Sequence, residues 1–184
     1  RGRLGRSWVS PAGKGIWMSL LLRPEIPPSA APIITTLAAL AVKRALEETS
    51  GLEVSIKWPN DIIIQNKKVC GILTEIHADI DIIHYVIVGI GINVNIEEKD
   101  FPEELLSSAT SILIALGRKL DRIQLIQSIM KHMEDIYIDY IKTSDIGPIL
   151  DECRKCSATL GRTVKVIGRG MEFSGKAVDL DEDG

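Results

Sequence analysis

Three arginines and two glycines precede a tryptophan in RGRLGRSW, residues 1–8 of the chain. Arginine side chains hold carboxylate or phosphate oxygens through paired hydrogen bonds, and glycine lets backbone N–H groups approach an anion closely. Trp8 adds a flat face on which an adenine ring can stack. The pattern is typical of a loop that clamps a negatively charged small molecule. It is equally typical of a flexible basic tail, so this motif alone does not decide between the two.

A second polar group, KWPND (residues 57–61), lies between two apolar runs, and its proline fixes the corner. Mg²⁺ binds one or two carboxylates together with phosphate oxygens, so Asp61 is a candidate magnesium ligand and Asn60 a candidate polar contact. Asparagine and aspartate after proline are also common in ordinary capped turns, so the spacing alone does not decide between these interpretations.

Two further segments combine polar side chains with glycines on predicted strands. Lys68 begins the apolar run KVCGILTE, and Gly71 leaves space beside it. A cation over that space can neutralise charge on a reacting phosphate, although a lysine at a hairpin mouth is usually solvated. In GIGINVN, Gly89 and Gly91 alternate along a strand and indicate the close approach of a ligand or another backbone, and Asn93 follows as a phosphate or metal contact.

The elements that position these residues follow from the spacing of apolar residues. We predict a buried strand over 15–22, a helix from a Ser29 cap to a stop at Gly51, a meander of strands over 53–95 with a turn at Asn66–Lys67, and helices over 121–143 and 148–156. Consecutive strands, rather than alternating β-α-β units, favour a mixed α+β fold. The last stretch alternates apolar and polar residues and predicts a separate small β unit.

Composition limits the classes of function. With 45% hydrophobic and 26% charged residues among 184, the chain has the profile of a globular protein with one main domain. Its net charge of -3 gives no overall case for nucleic-acid binding. We find no apolar run of roughly 18 uncharged residues and no signal peptide, and three cysteines favour reduced thiols, so we expect a cytoplasmic protein. We also expect further material beyond both ends.

The four motifs, in this order, resemble the biotin protein ligase family over nearly the whole chain. In that family a mixed, mostly antiparallel sheet backed by helices, similar to class II synthetases, precedes a small SH3-like β domain. The resemblance therefore implies a catalytic domain over residues 1–158, with its N-terminal part missing, and the start of an SH3-like domain over residues 159–184.

The resemblance also implies two sets of contacts. The biotin contacts are Arg1, Gly2, Arg3, Lys68, Gly71, Leu73, Gly89 and Gly91, and the nucleotide contacts are Trp8, Lys57, Asn60, Asp61 and Asn93. Arg3 and Lys68 are implied to be catalytic because they neutralise the reacting carboxylate and phosphate, and Asp61 is implied to hold Mg²⁺.

The implied reaction joins biotin and ATP into biotinyl-5′-AMP and then transfers biotin to a lysine of a carboxylase biotin carrier protein, without a prosthetic group. Exposed strands favour a homodimer. We expect no membrane partner, and DNA binding only through a preceding N-terminal domain. Two alternatives stay open: a lipoate or octanoyl protein ligase, and a non-catalytic biotin-sensing domain.

Overall fold

A computed structural model of the chain describes residues 2, 8–168 and 171–181. Its main sheet has five strands: β1 (Ile16–Leu22), β2 (Ser55–Lys57), β3 (Asp61–Ile64), β4 (Lys67–Ala78) and β5 (Ile83–Ile92). Their spatial order is β1-β5-β4-β3-β2, and every neighbouring pair is antiparallel. The helices are α1 (Ile33–Ser50), α2 (Ile112–Leu116), α3 (Arg122–Thr143) and α4 (Gly147–Lys155). The predicted mixed α+β fold is confirmed.

Helix α1 forms the centre of the core, between one face of the sheet and α3. Ile34, Leu37, Leu40 and Leu46 on this helix are fully buried. The segment Pro28–Ser50 is apolar and long enough to span a membrane, but most of its apolar window is buried inside the protein. Because burying each such side chain contributes roughly 1.5–3 kcal/mol, this helix stabilises the face of the sheet against which it packs.

The predicted start of α1 is wrong, whereas its predicted end is confirmed. Ser29 lies in a short 3₁₀ turn, and the α-helix begins after Pro32, which caps it without a side-chain hydrogen bond. Proline suits this position because its fixed φ is compatible with a helix and it has no N–H that needs an acceptor. At the other end, Gly51 adopts a left-handed φ of 71° and donates its N–H to the carbonyl of Glu47.

The turn between β3 and β4 lies one residue earlier than predicted. Gln65 and Asn66 both have positive φ values, of 50° and 63°. Two consecutive residues with positive φ are typical of the two-residue turn whose twist matches an antiparallel hairpin. Lys67 is therefore the first residue of β4 rather than part of the turn.

The C-terminal stretch forms a separate two-stranded antiparallel sheet from β6 (Thr163–Gly168) and β7 (Met171–Lys176). The predicted small β unit is therefore confirmed as a hairpin. Its assignment to an SH3-like domain, and the boundary between residues 158 and 159, stay predictions.

Candidate functional site

A row of cross-strand partners crosses all five strands of the main sheet. Lys57 pairs with Asp61, Asp61 with Gly71, Gly71 with Gly91, and Gly91 with Trp17. Directly paired residues point to the same face of a sheet, and their sequence neighbours Ile72 and Ile90 are buried with the core helices on the other face. The row therefore lies on the face that α1 does not cover, which we call the open face.

Three glycines of β4 and β5 lie at the centre of the open face. Besides the Gly71–Gly91 pair, Leu73 pairs with Gly89 in the next row, and Ser19 of β1 completes that row. The four residues implied to line a biotin ring therefore lie together. We call Gly71, Gly89 and Gly91 the glycine floor. Their contact with a ligand stays a prediction.

A register shift in β4 decides which face Lys68 occupies. Residues 68 and 71 are three positions apart, so regular alternation would place them on opposite faces of the strand. Opposite β3, however, Ile62 pairs with Cys70 and Ile63 with Lys68, so that Val69 has no partner there. Such a bulge inserts one extra residue and reverses the alternation beyond it. Lys68 therefore points to the open face, beside Gly71.

The backbone around this bulge is held by a segment distant in sequence. The N–H of Lys68 donates to the carbonyl of Ser108 at 2.8 Å, and the N–H of Thr110 donates to the carbonyl of Lys68 at 2.9 Å. Residues 108–110 thus extend along the Lys68 end of β4 as a short parallel bridge through Ala109. Nothing in the sequence marks this segment, because residues 108–110 bond Lys68 through backbone groups rather than side chains.

Asn93 connects this distant segment to the bulge in β4. Its side chain is buried, and its Nδ2 donates to the carbonyl of Thr110 at 3.0 Å. Its backbone N–H donates to the carbonyl of Val69, the bulged residue, at 2.9 Å. The side-chain amide is therefore part of the support for Lys68. The predicted contact of Asn93 with phosphate or metal stays a prediction.

The ammonium group of Lys68 pairs with the carboxylate of Asp61, with Nζ 2.5 Å from Oδ1. Both side chains are partly exposed, and the ammonium also lies 5.2 Å from the centroid of the Trp8 ring, within range of a cation–π contact. A ligand carboxylate or phosphate that entered here would compete with Asp61 for Lys68. The pair is thus a charged site at one end of the glycine floor.

Asp61 also has the chemistry to hold Mg²⁺. Among the described residues no group of three or more His, Cys, Asp or Glu side chains is placed to bind a metal. Mg²⁺ in nucleotide sites needs only one or two carboxylates, because phosphate oxygens and water supply the other ligands. A single partly exposed carboxylate beside the Lys68 ammonium fits that form of binding, and a preformed protein cage is not required.

Asn60 ends the pairing of β3 with β4. Its Nδ2 donates to the carbonyl of Ile72 at 2.8 Å, and its own carbonyl accepts from the N–H of Ile72 at 2.9 Å. Asn60 therefore makes the last hydrogen bonds between this side of the sheet and β4. It also fixes the corner that begins with the cis Trp58–Pro59 bond. Lys57 is exposed at the outer end of the row. The predicted nucleotide contacts of Lys57 and Asn60 stay predictions.

Cys70 shows how completely the two faces are separated. It lies between Lys68 and Gly71 in sequence but is fully buried on the core side. Burial raises the pKa of its thiol well above the usual range, because the thiolate would lose its solvation. This cysteine therefore remains protonated and does not provide a nucleophile to the open face.

The N-terminal motif is only partly described. Arg1 and Arg3, to which we assigned biotin and catalytic contacts, lie outside the described residues, and Gly2 is half-buried. Trp8 lies on the glycine floor: a Cβ atom placed on Gly71 would be 2.7 Å from Cζ3 of its ring, and one on Gly91 would be 3.1 Å from Cε2. Its predicted adenine contact stays a prediction.

The similarities to known proteins agree with this geometry. The profile of the biotin/lipoate A/B protein ligase family matches residues 1–93. Over all of its length the chain is 45% identical to the bifunctional ligase/repressor BirA of Bacillus subtilis and covers 56% of that protein. It is 29% identical to the biotin–[acetyl-CoA-carboxylase] ligase of Mycobacterium tuberculosis, again over its whole length, and covers 67% of it.

Among solved structures, the biotin protein ligase of Aquifex aeolicus in complex with biotin and ATP is similar, with a TM-score of 0.86 and 34% identity. That similarity covers 99% of this chain and 74% of the other. The resemblance that the four motifs predicted is confirmed. The chain spans about half the length of the curated relative from Bacillus subtilis.

We predict that Asn93→Ala lowers the free energy of unfolding by about 1–3 kcal/mol, because it leaves the carbonyl of Thr110 buried without its donor. Urea denaturation followed by circular dichroism measures this change. Gln124→Ala, which removes an exposed amide from α3, is the control and should change stability by less than about 0.5 kcal/mol. Equal stability of the Asn93 variant and the parent would contradict the structural role of this side chain.

Proposed function

The chain belongs to the biotin/lipoate A/B protein ligase family, and from that premise we propose that it carries out the ATP-dependent chemistry of a biotin protein ligase. The observation that carries the proposal is the Lys68–Asp61 pair at the end of the glycine floor. The Lys68 ammonium offers a cation for two anionic reactants. The glycine floor beside it offers a surface that accepts a ring. The relative from Aquifex aeolicus, which binds biotin and ATP, supports this choice of substrates.

In the first proposed step, the carboxylate of biotin attacks the α-phosphorus of ATP. A carboxylate O–P bond forms, the bond to the β-phosphate oxygen breaks, and pyrophosphate leaves with the electron pair. No proton transfer is needed, so the protein contributes alignment and charge neutralisation. Lys68 would exchange its pairing with Asp61 for the reacting carboxylate and α-phosphate. Arg3 would add a second cation.

Asp61, once released from Lys68, would hold Mg²⁺ together with phosphate oxygens. The metal ion would supply neutralisation of the triphosphate charge. The Asp61 carboxylate would thus keep a role in the same site, because the Lys68 ammonium can pair either with Asp61 or with the ligand anion. A site in which each charge has a partner before and after ligand entry avoids an unpaired charge in a partly buried position.

In the second proposed step, a lysine amine of a carboxylase biotin carrier protein attacks the carbonyl carbon of the mixed anhydride. An amide bond forms and AMP leaves. The attacking amine must first lose a proton, since its unperturbed pKa is about 10.4. We propose that this transfer takes place in the cytoplasm.

A lipoate or octanoyl ligase is the main rival within the same family. We place biotin first because the arginine-glycine loop and the KWPND corner resemble the biotin branch, and because the relatives from Mycobacterium tuberculosis and Aquifex aeolicus have biotin in their names. The second rival is a domain that binds biotin without transferring it.

We predict that the chain catalyses exchange of labelled pyrophosphate into ATP when biotin is added, and not when lipoate or octanoate is added. Exchange measures formation of the acyl-adenylate alone and needs no acceptor protein. Exchange with lipoate but not with biotin would refute the proposal. Binding of biotin in calorimetry without any exchange would favour the sensing domain.

We predict that Lys68→Ala lowers the exchange rate by about 100-fold or more, as expected when one preorganised charge partner of a reacting group is removed. Lys67→Ala is the matched control. Lys67 is the neighbouring lysine on β4, but its Nζ donates to the carbonyl of Leu106 at 2.7 Å. The control should keep the parental rate. Equal rates for both variants would show that the charge on Lys68 is not used.

We also propose that the protein forms a homodimer through β4. Among the described residues, β4 has a strand partner on one side only from Leu73 onward, because its pairing with β3 ends at Gly71 and its bonds to Asn60 end at Ile72. Ile76 on this part of β4 is 46% exposed, and Ile80 and Ile82 in the turn that follows the strand are 100% and 54% exposed. A free strand edge beside exposed apolar side chains is a template for pairing with a second copy.

We predict that Ile76→Lys shifts sedimentation velocity profiles towards the monomer, because it places a charge in the proposed interface. Ile138→Lys, at an exposed isoleucine of α3, is the control and should leave the profile unchanged. A parent chain that is monomeric over the whole concentration series would contradict the homodimer, as would an equal shift in both variants.

A further inference from the structure

The indole of Trp8 covers the part of the open face to which we assigned a ligand ring. Cζ3 and Cη2 of its six-membered ring lie nearest Gly71, and Cε2, Cζ2 and Nε1 lie nearest Gly91. The edge of Trp17 flanks it, with the ring centroids 6.1 Å apart and the planes at 70°. The indole therefore contacts two glycines, the ring of Trp17 and the ammonium group of Lys68.

The polar atom of this indole is poorly accommodated. Nε1 is inaccessible to solvent and has no hydrogen-bond acceptor among the described residues. A buried N–H donor without an acceptor is unfavourable, because it has given up its bond to water and received nothing in return. The shape of the ring fits the glycine floor, but its N–H group has no acceptor in the part of the chain that the structure describes. Such a contact can be replaced more readily than a fully satisfied one.

Both the indole and a ligand ring require the absence of side chains at Gly71 and Gly91. The bicyclic ring system of biotin is similar in size to an indole, and two rings cannot occupy the same floor. We propose that Trp8 acts as an internal competitor, which covers the floor in the ligand-free protein and is displaced when the ring of biotin enters. This inference rests on the proposed function, since it takes biotin as the ligand.

Displacement would also release Trp8 for a second contact. The side of the indole that rests on the floor is covered in the ligand-free protein, so that side is not available to an adenine ring at the same time. The apparent affinity for biotin equals the affinity of the open form multiplied by the fraction of molecules whose floor is open. Removing the indole should therefore tighten the binding of biotin.

The first experiment tests the covered floor without any ligand. A variant with Trp17→Phe and Trp58→Phe keeps Trp8 as the single tryptophan, and acrylamide quenching of its fluorescence measures its exposure. We expect quenching several-fold weaker than in a variant that keeps only Trp58, which is 44% exposed. In the parent chain, nuclear Overhauser effects should join the Trp8 ring to the α-protons of Gly71 and Gly91. Free quenching of Trp8 together with the absence of these effects would overturn the proposal.

Two glycine variants provide a matched pair in the same assay. A Cβ at Gly71 would meet Cζ3 of Trp8 at 2.7 Å, so Gly71→Ala should push the indole away and raise quenching without ligand. A Cβ at Gly89 meets only the carbonyl of Leu73 at 3.4 Å and its Cβ at 3.9 Å, so Gly89→Ala should leave quenching unchanged. An equal response of the two variants would argue against Trp8 resting on the floor.

The second experiment adds biotin. Saturating biotin should raise the quenching of Trp8 and remove its contacts with Gly71 and Gly91. In calorimetry, Trp8→Ala should bind biotin about 10-fold more tightly if the floor is covered in about 90% of molecules. Biotin that binds while these contacts persist, or that binds Trp8→Ala no more tightly, refutes the competition and leaves the proposed function intact. A covered floor with no binding of biotin to either chain refutes both.

Discussion

The candidate site depends on one irregularity in the main sheet, the bulge at Val69. Without the extra residue, the ammonium group of Lys68 would point towards the core helices, and the open face would have no cation next to Gly71. A bulge is maintained only where its backbone groups find other partners. Here the carbonyl of Val69 accepts from Asn93, and residues 108–110 bond both backbone groups of Lys68. The loop before α2 therefore decides the direction of the charge.

Around that charge the open face combines two unlike surfaces. At one end the Lys68–Asp61 pair keeps opposite charges together, and at the centre the glycine floor offers backbone without side chains. The first surface suits carboxylate and phosphate groups, and the second suits a flat ring. A molecule that has a ring system at one end and a carboxylate at the other satisfies both, and this combination is the physical basis for proposing biotin.

Much of the fold could be predicted from the sequence, because the responsible signals are local. Apolar spacing predicts the long core helix, Gly51 marks its end, and the consecutive β-branched runs predict an antiparallel meander. The errors are also local in origin. Ser29 has the side chain of a helix cap, but Pro32 caps the helix instead, and the hairpin turn uses Gln65 where we expected Lys67. In both cases, backbone geometry outweighed side-chain preference.

The sequence by itself determined which chemical groups the site contains: the arginine-glycine loop, the KWPND corner, Lys68 and the alternating glycines, in an order typical of one family. Only the tertiary structure decided that Lys68 and Gly71 share a face, because alternation along a strand predicts the opposite and the bulge depends on residues 108–110. It also placed β1 beside β5 and laid the Trp8 indole over the floor. Such features result from pairing between residues far apart in the chain, and local spacing does not encode the register of that pairing.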